Sequence, residues 1–226
     1  MTSPVTLYYA PDNASLCVRL ALLELEMPFE TILVDRARHM QRAPAYLALN
    51  PNGIIPTIIT PDGPIYETGA ILLWLSQQSR RGFMPAHLPQ GAALTWLLWL
   101  SNTLHPALRM WFYPDKYVPV AAVPALLDAT RDRLLGLFAH LEAHAAWLDD
   151  RVPSALGCYL GPMVRWAKLY GPDQQWFDLS AYPRLATYVK ALEAMPAAVQ
   201  ASLAEGLGQT IFSNPALPNP PEGSAR

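Results

Sequence analysis

PNGIIPTIITPDGPIYETGAILLWLSQQ, residues 51–78, holds two short apolar runs separated by Pro61-Asp62-Gly63 and followed by a longer apolar stretch. β-Branched runs flanking a Pro-Asp-Gly turn predict a hairpin, and TGAILLWLSQQ (68–78) predicts an apolar helix closing the unit. Pro56 interrupts the first run, where a trans proline would remove a ladder hydrogen bond. Either the run sits at a sheet edge, or the Ile55-Pro56 bond is cis and turns the Ile55 backbone outward toward a ligand. Glu67 and Thr68 stand where the last strand meets the helix. Thr68 can cap that helix, its free amides suit a carboxylate, and Glu67 suits an ammonium group. A plain helix cap beside an acid explains the same pair without any ligand.

Working toward the N-terminus, VTLYY (5–9) predicts a buried strand, residues 16–26 a helix with Ser15 as N-cap, and FETILV (29–34) a second strand. Residues 42–49 predict a brief irregular helix before the turn Asn50-Pro51-Asn52-Gly53. The resulting β-α-β-α-β-β-α order implies one mixed sheet with helices against it. Toward the C-terminus, RRGFMPAHLPQG (80–91) reads as a linker, and helical patterns over 91–113, 121–148, 155–170, 182–194 and 196–205 predict an all-helical second domain. The domains expected are therefore residues 1–80, a linker over 81–90, a helical domain over 91–212, and a mobile tail over the Pro-rich residues 213–226.

Composition narrows the function. With 52% hydrophobic and 15% charged residues the chain can fill a large core, and a net charge of −2 without a Lys/Arg block argues against nucleic acid. The apolar runs near residues 92–100 are too short for the ~20 residues that span a bilayer. The start MTSPVTLYY lacks a secretory pattern, and Cys17 and Cys158 form neither a C-x-x-C pair nor a metal framework, so a cytoplasmic protein is expected. His140 and His144 have metal-compatible spacing, but no third ligand is evident, and no metal is expected.

YYAPDNASL (8–16), PNGIIP (51–56) and ETGAI (67–71) resemble, in this order of elements, the glutathione-binding domain of the cytosolic glutathione S-transferases. TLHPAL (103–108), VRWAKLYG (164–171) and PAAVQASLAEGL (196–207) resemble the helical domain of the bacterial beta-class enzymes, so that the resemblance spans residues 5 to about 207. It implies a thioredoxin-like α/β domain followed by an all-α domain, a cis Pro56, and a cleft holding glutathione as cosubstrate beside a small apolar electrophile. It also implies a homodimer acting in detoxification. By that resemblance Ile55 holds the cysteinyl backbone, Glu67 and Thr68 the γ-glutamyl end, and Arg38 the glycine end, with His39 or Arg42 as substitutes.

Conjugation needs a thiolate, and a thiol with a pKa of ~8.5 is only slightly ionised at pH 7. Lowering that pKa by ~2 units takes ~2.7 kcal/mol. A helix N-terminus supplies ~0.3–1 kcal/mol and a hydrogen bond to a charged group ~1.5–3 kcal/mol, so a side-chain donor at the first helix is expected. The beta-class cysteine position holds Ala14, which leaves Ser15 as first choice, Asn13 as second and Tyr9 as a third group able to reach the cleft. His105 matches a conspicuous beta-class histidine near the sulfur. Asn102, His105 and Arg109 share a helical face that Pro106 would kink, and Trp111, Phe112 and Tyr113 could wall the electrophile pocket. Leu98 replaces a frequent asparagine of that class. Ser154 keeps the family's Ser/Thr-x-x-Asp capping motif in part, with Gly157 in the place of the acid.

Overall fold

Val5–Tyr9 forms the first strand (β1) because its side chains alternate, with Val5, Leu7 and Tyr9 buried and Thr6 and Tyr8 half-buried. In the computed structural model, which describes residues 4–79, 82–150 and 152–225, β1 pairs in parallel with β2 (Phe29–Leu33). Its other edge runs antiparallel to β3 (Thr57–Thr60), and β3 pairs with β4 (Gly63–Tyr66), giving the order β2-β1-β3-β4. Arg80 and Arg81, where the first domain was expected to pass into the linker, lie outside the described residues.

The hairpin forms where the turn chemistry places it. Thr60 Oγ1 accepts from Asp62 N at 3.2 Å and donates to Gly63 O at 2.9 Å, while Gly63 takes a φ of 112°. β3 begins only at Thr57, so residues 54–56 of the predicted strand are loop. Helices α1 (Ser15–Glu24) and α3 (Thr68–Gln78) pack against each other beside this sheet, and the irregular helix shrinks to a 3₁₀ turn at Met40–Arg42 and α2 (Pro44–Leu47). The structure thus has the thioredoxin-like unit followed by helices that the sequence predicts.

The helical part comprises α4 (Gln90–Trp99), α5 (His105–Phe112), α6 (Val123–His144), α7 (Ala155–Leu169), α8 (Pro183–Glu193) and α9 (Pro196–Glu205). The single helix expected over 91–113 is divided by a π-helical segment, Leu100–Leu104. Pro106 follows in the first turn of α5, where it has no N–H to offer the preceding turn, and the widened π turn lies where the kink was expected. Every residue of α7 except Lys168 is buried, and α1 packs on both α7 and α9. Ser154 caps α7 by accepting from Gly157 N at 3.3 Å.

The Pro-rich residues expected to form a mobile tail make defined contacts. Ala216 O accepts from Arg165 Nη2 at 2.9 Å, and Asn219 N donates to Gly206 O at 2.8 Å. Further on, Tyr9 donates its hydroxyl to Glu222 and Arg36 donates to Ala225 O. Among the described residues no helix is long and apolar enough to cross a membrane.

Candidate active site

A cavity of about 680 Å³ opens where the ends of the sheet meet the helical part. The first domain lines it with Asp12–Ala14, Arg36, Gln41, Arg42, Gly53–Pro56, Glu67 and Thr68. The facing wall comes from Ser101 and the α5 residues His105, Pro106, Arg109 and Phe112, continued by Tyr113 and Lys116. Tyr159, Trp166 and Tyr170 close it from α7 and the residue that follows.

The segment Pro-Asp-Asn-Ala-Ser before α1 is built on Asp12, which adopts a left-handed φ of 48°. Its carboxylate accepts from Arg165 Nε at 2.8 Å and Nη2 at 2.9 Å, from Trp166 Nε1 at 2.9 Å and from the Tyr170 hydroxyl at 2.5 Å. Its N–H donates to Glu205 Oε2 at 2.8 Å, and Glu205 Oε1 receives Arg19 Nε at 2.7 Å. Asp12 and Arg165 have side chains 0% exposed, and such a pair holds together only because almost every lone pair and N–H is satisfied. Burial pushes the Glu205 carboxyl up to about 7, against the opposing charge of Arg19. Asp12 is therefore the clamp that fixes the start of α1 against α7 and α9.

The expected thiolate donors separate. Ser15 is fully buried; its hydroxyl donates to Ala10 O at 3.0 Å and accepts from Ala10 N at 3.3 Å, so it closes the loop onto itself and does not line the cavity. As the first helical residue it directs its side chain back toward the preceding turn, and the N-cap is Ala14, without a side-chain cap. Tyr9 also lies outside the cavity: it packs under the Arg19 guanidinium, 4.6 Å from the ring centroid, and burial raises its phenol pKa. Asn13 does line the cavity, with Oδ1 accepting from Ala14 N at 3.0 Å.

The Ile55–Pro56 bond is cis, and both residues line the cavity. The loop is held from behind, because Ile54 O accepts from the Tyr46 hydroxyl at 2.7 Å and Asn50 Nδ2 at 2.8 Å. Glu67, at a φ of 70°, takes the N-cap position expected for Thr68. Thr68 starts α3 and lines the cavity with Ser101 and Tyr159. The Tyr159 hydroxyl also lies 3.1 Å from His105 Nδ1. Burial, and then the charge of Arg109, hold His105 down at about 4, so its imidazole is neutral at pH 7; burial likewise keeps the Tyr159 phenol protonated.

Three further expectations are corrected. Arg38 is 83% exposed and pairs with Asp35 at 3.5 Å outside the cavity, whereas Arg36 and Arg42 line it. Asn102 is exposed and off the cavity, because the π turn shifts the helical register and brings Ser101 inward instead. Trp111 packs against Trp176 in the core, leaving Phe112 and Tyr113 at the cavity. His140 stacks near Trp96 and Trp99, and Leu98 is exposed. Both cysteines are buried with raised pKa values, and neither lines the cavity. Sequence reasoning missed Asp12, Ser101, Tyr159, Arg165, Trp166 and Tyr170. The available signal was Arg165, a cation set among the apolar residues of the α7 pattern.

Residues 14–78 match the family model for the glutathione S-transferase N-terminal domain. The chain is 27% identical over 214 residues to the disulfide-bond oxidoreductase YfcG of Escherichia coli, covering 90% of this chain and 97% of that protein. It is 28% identical over 209 residues to the glutathione S-transferase GST-4.5 of Xanthomonas campestris pv. campestris, covering 89% and 98%. The solved structure of a sphingomonad glutathione S-transferase complexed with glutathione is similar with a TM-score of 0.72 at 27% identity, over 90% of this chain and 100% of that one.

Proposed function

We propose that the chain, which has the glutathione S-transferase fold and that family's N-terminal domain over residues 14–78, is a glutathione transferase joining the glutathione thiolate to an apolar electrophile. The observation that carries this reading is the convergence on one cavity of cis Ile55–Pro56, Glu67–Thr68, the start of α1 and His105. In this reading the γ-glutamyl ammonium meets Glu67, and its carboxylate meets Thr68 and the first amides of α3. The cysteinyl backbone lies along Ile55, and the glycine carboxylate reaches Arg42 in place of the expected Arg38. The sulfur then sits near Asn13 and His105, and the electrophile docks against Phe112 and Tyr113. Residues 1–80 and 91–212 are the two functional domains, joined by 81–90, in a cytoplasmic, homodimeric, detoxifying enzyme.

Asn13 is the better donor because Ala14 N–H already occupies its Oδ1, which leaves its amide NH₂ for sulfur. Ala14 stands where beta-class enzymes carry a cysteine, so the reactive sulfur belongs to the ligand. Likeness to a disulfide-bond oxidoreductase supports a second reading, glutathione-dependent disulfide reduction, and it too takes its thiolate from glutathione because the cavity lining holds no cysteine. Ultraviolet titration of bound glutathione tests the common step. The thiolate band should appear with a midpoint ~2 units below the free thiol, and Asn13→Ala should raise that midpoint by about 1 unit or more. An unchanged midpoint in Asn13→Ala removes Asn13 from the mechanism.

A further inference from the structure

The glutathione reading leaves part of the cavity's charge unused. Four cationic side chains line it, Arg36, Arg42, Arg109 and Lys116, against the carboxylates of Asp12 and Glu67, although the chain as a whole carries a net charge of −2. Asp12 is neutralised by Arg165, and in the proposed complex Glu67 faces an ammonium and Arg42 a carboxylate. Arg36 donates to Ala225 O and to the Tyr113 hydroxyl, which leaves Arg109 and Lys116. Among the described residues, neither has a carboxylate oxygen within 4.0 Å.

These two cations border an aromatic stretch of the cavity wall. Phe112 meets Tyr170 edge to face at 6.1 Å, and Lys116 Nζ lies 4.2 Å from the centroid of the Tyr113 ring. Arg109 is half-buried and close enough to depress the pKa of His105. A purely apolar ligand would cover these charges and strip their water without return. An aromatic ligand carrying an anion would lie against this wall and pair with them, at a site where partial enclosure strengthens the attraction.

Resting on the glutathione reading above, we infer that the electrophile accepted beside glutathione is an aromatic acid, its ring against Phe112, Tyr113 and Tyr170 and its carboxylate or sulfonate on Arg109 and Lys116. This adds an anionic group to the apolar electrophile expected from the sequence.

The test compares S-benzylglutathione with S-(4-carboxybenzyl)glutathione by calorimetric titration, using the intact chain and the Arg109→Gln/Lys116→Gln variant, with circular dichroism as the check on folding. The carboxylated conjugate should bind about fivefold to tenfold more tightly, and the preference should shrink as salt rises. In the double variant the preference should vanish while affinity for S-benzylglutathione changes by less than about twofold. Equal binding of the two conjugates by the intact chain overturns the inference and leaves the glutathione reading standing. So does an equal loss of both in the variant, which would assign the two cations to glutathione itself. Failure of either conjugate to bind at all removes the glutathione reading and the inference together.

Discussion

His105 faces a cavity yet is held neutral, because enclosure disfavours the imidazolium and Arg109 adds repulsion. A neutral ring can accept from or donate to the Tyr159 hydroxyl at Nδ1 while its other nitrogen serves the cavity. Its folded pKa of about 4 lies below the ordinary 6.5, so between those values the unfolded chain binds more protons than the folded one. The stability contributed by this residue is therefore complete above pH 6.5 and declines as pH falls toward 4, by up to about 3 kcal/mol. The His105 ring-proton shifts in NMR should accordingly stay flat from about pH 8 to about pH 5. A midpoint near 6.5 would show that the ring is neither desolvated nor repelled as described. The residue was legible as a site candidate from TLHPAL, but its neutrality depends on burial that no sequence pattern displays.

At the scale of elements, agreement follows the strength of the local signal. Thr68–Gln78 and Pro196–Glu205 form as helices at the predicted ends, because Glu67 and Pro196 mark their starts and Gly206 takes a left-handed φ of 64° after the second. The π segment Leu100–Leu104 was not legible, since its cause is one proline inside a pattern that is otherwise continuously helical. That one-residue shift explains why Asn102 was expected in the site and Ser101 found there. The cap of α7 gives a sharper case. A Cβ placed on Gly157 would lie 2.4 Å from the Tyr188 hydroxyl. The tyrosine thus occupies the position that the missing capping acid would need. Gly157→Asp, which restores the family pattern on paper, should lower stability by about 1–3 kcal/mol in chemical denaturation. A gain in stability would mean that Tyr188 yields easily and that the glycine is a simple loss.

For the whole molecule, the polar segment before α1 is a joint as much as a binding feature. Asp12 ties β1 and α1 to α7, and through Glu205 to α9, so the position of Asn13 at the cavity depends on groups more than 150 residues away in sequence. This is why the sequence alone favoured Ser15: the helix start was visible, but which of its side chains faces the cavity is decided by Arg165, Trp166 and Tyr170. The tail adds another long-range term, bringing Ala225 to the cavity beside Arg36. Fold class and the Glu67–Thr68 pair were readable because each rests on a short local pattern, whereas the residues around Pro56 left edge and cis open and only the family resemblance implied the cis bond. Which of the loop's basic residues lines the cavity was not readable, because Arg36, Arg38 and Arg42 look alike until Asp35 draws Arg38 away. In the proposed function this assembled cavity binds glutathione through Glu67. Calorimetric titration with reduced glutathione at pH 7 tests it most directly, with Glu67→Gln as the comparison. Saturable binding at micromolar to low-millimolar concentrations is expected, weakened about tenfold or more in Glu67→Gln because a charge-assisted hydrogen bond is lost. No binding up to about 10 mM, a concentration at which even an interaction of about −3 kcal/mol would register, or equal binding by both proteins, would contradict it.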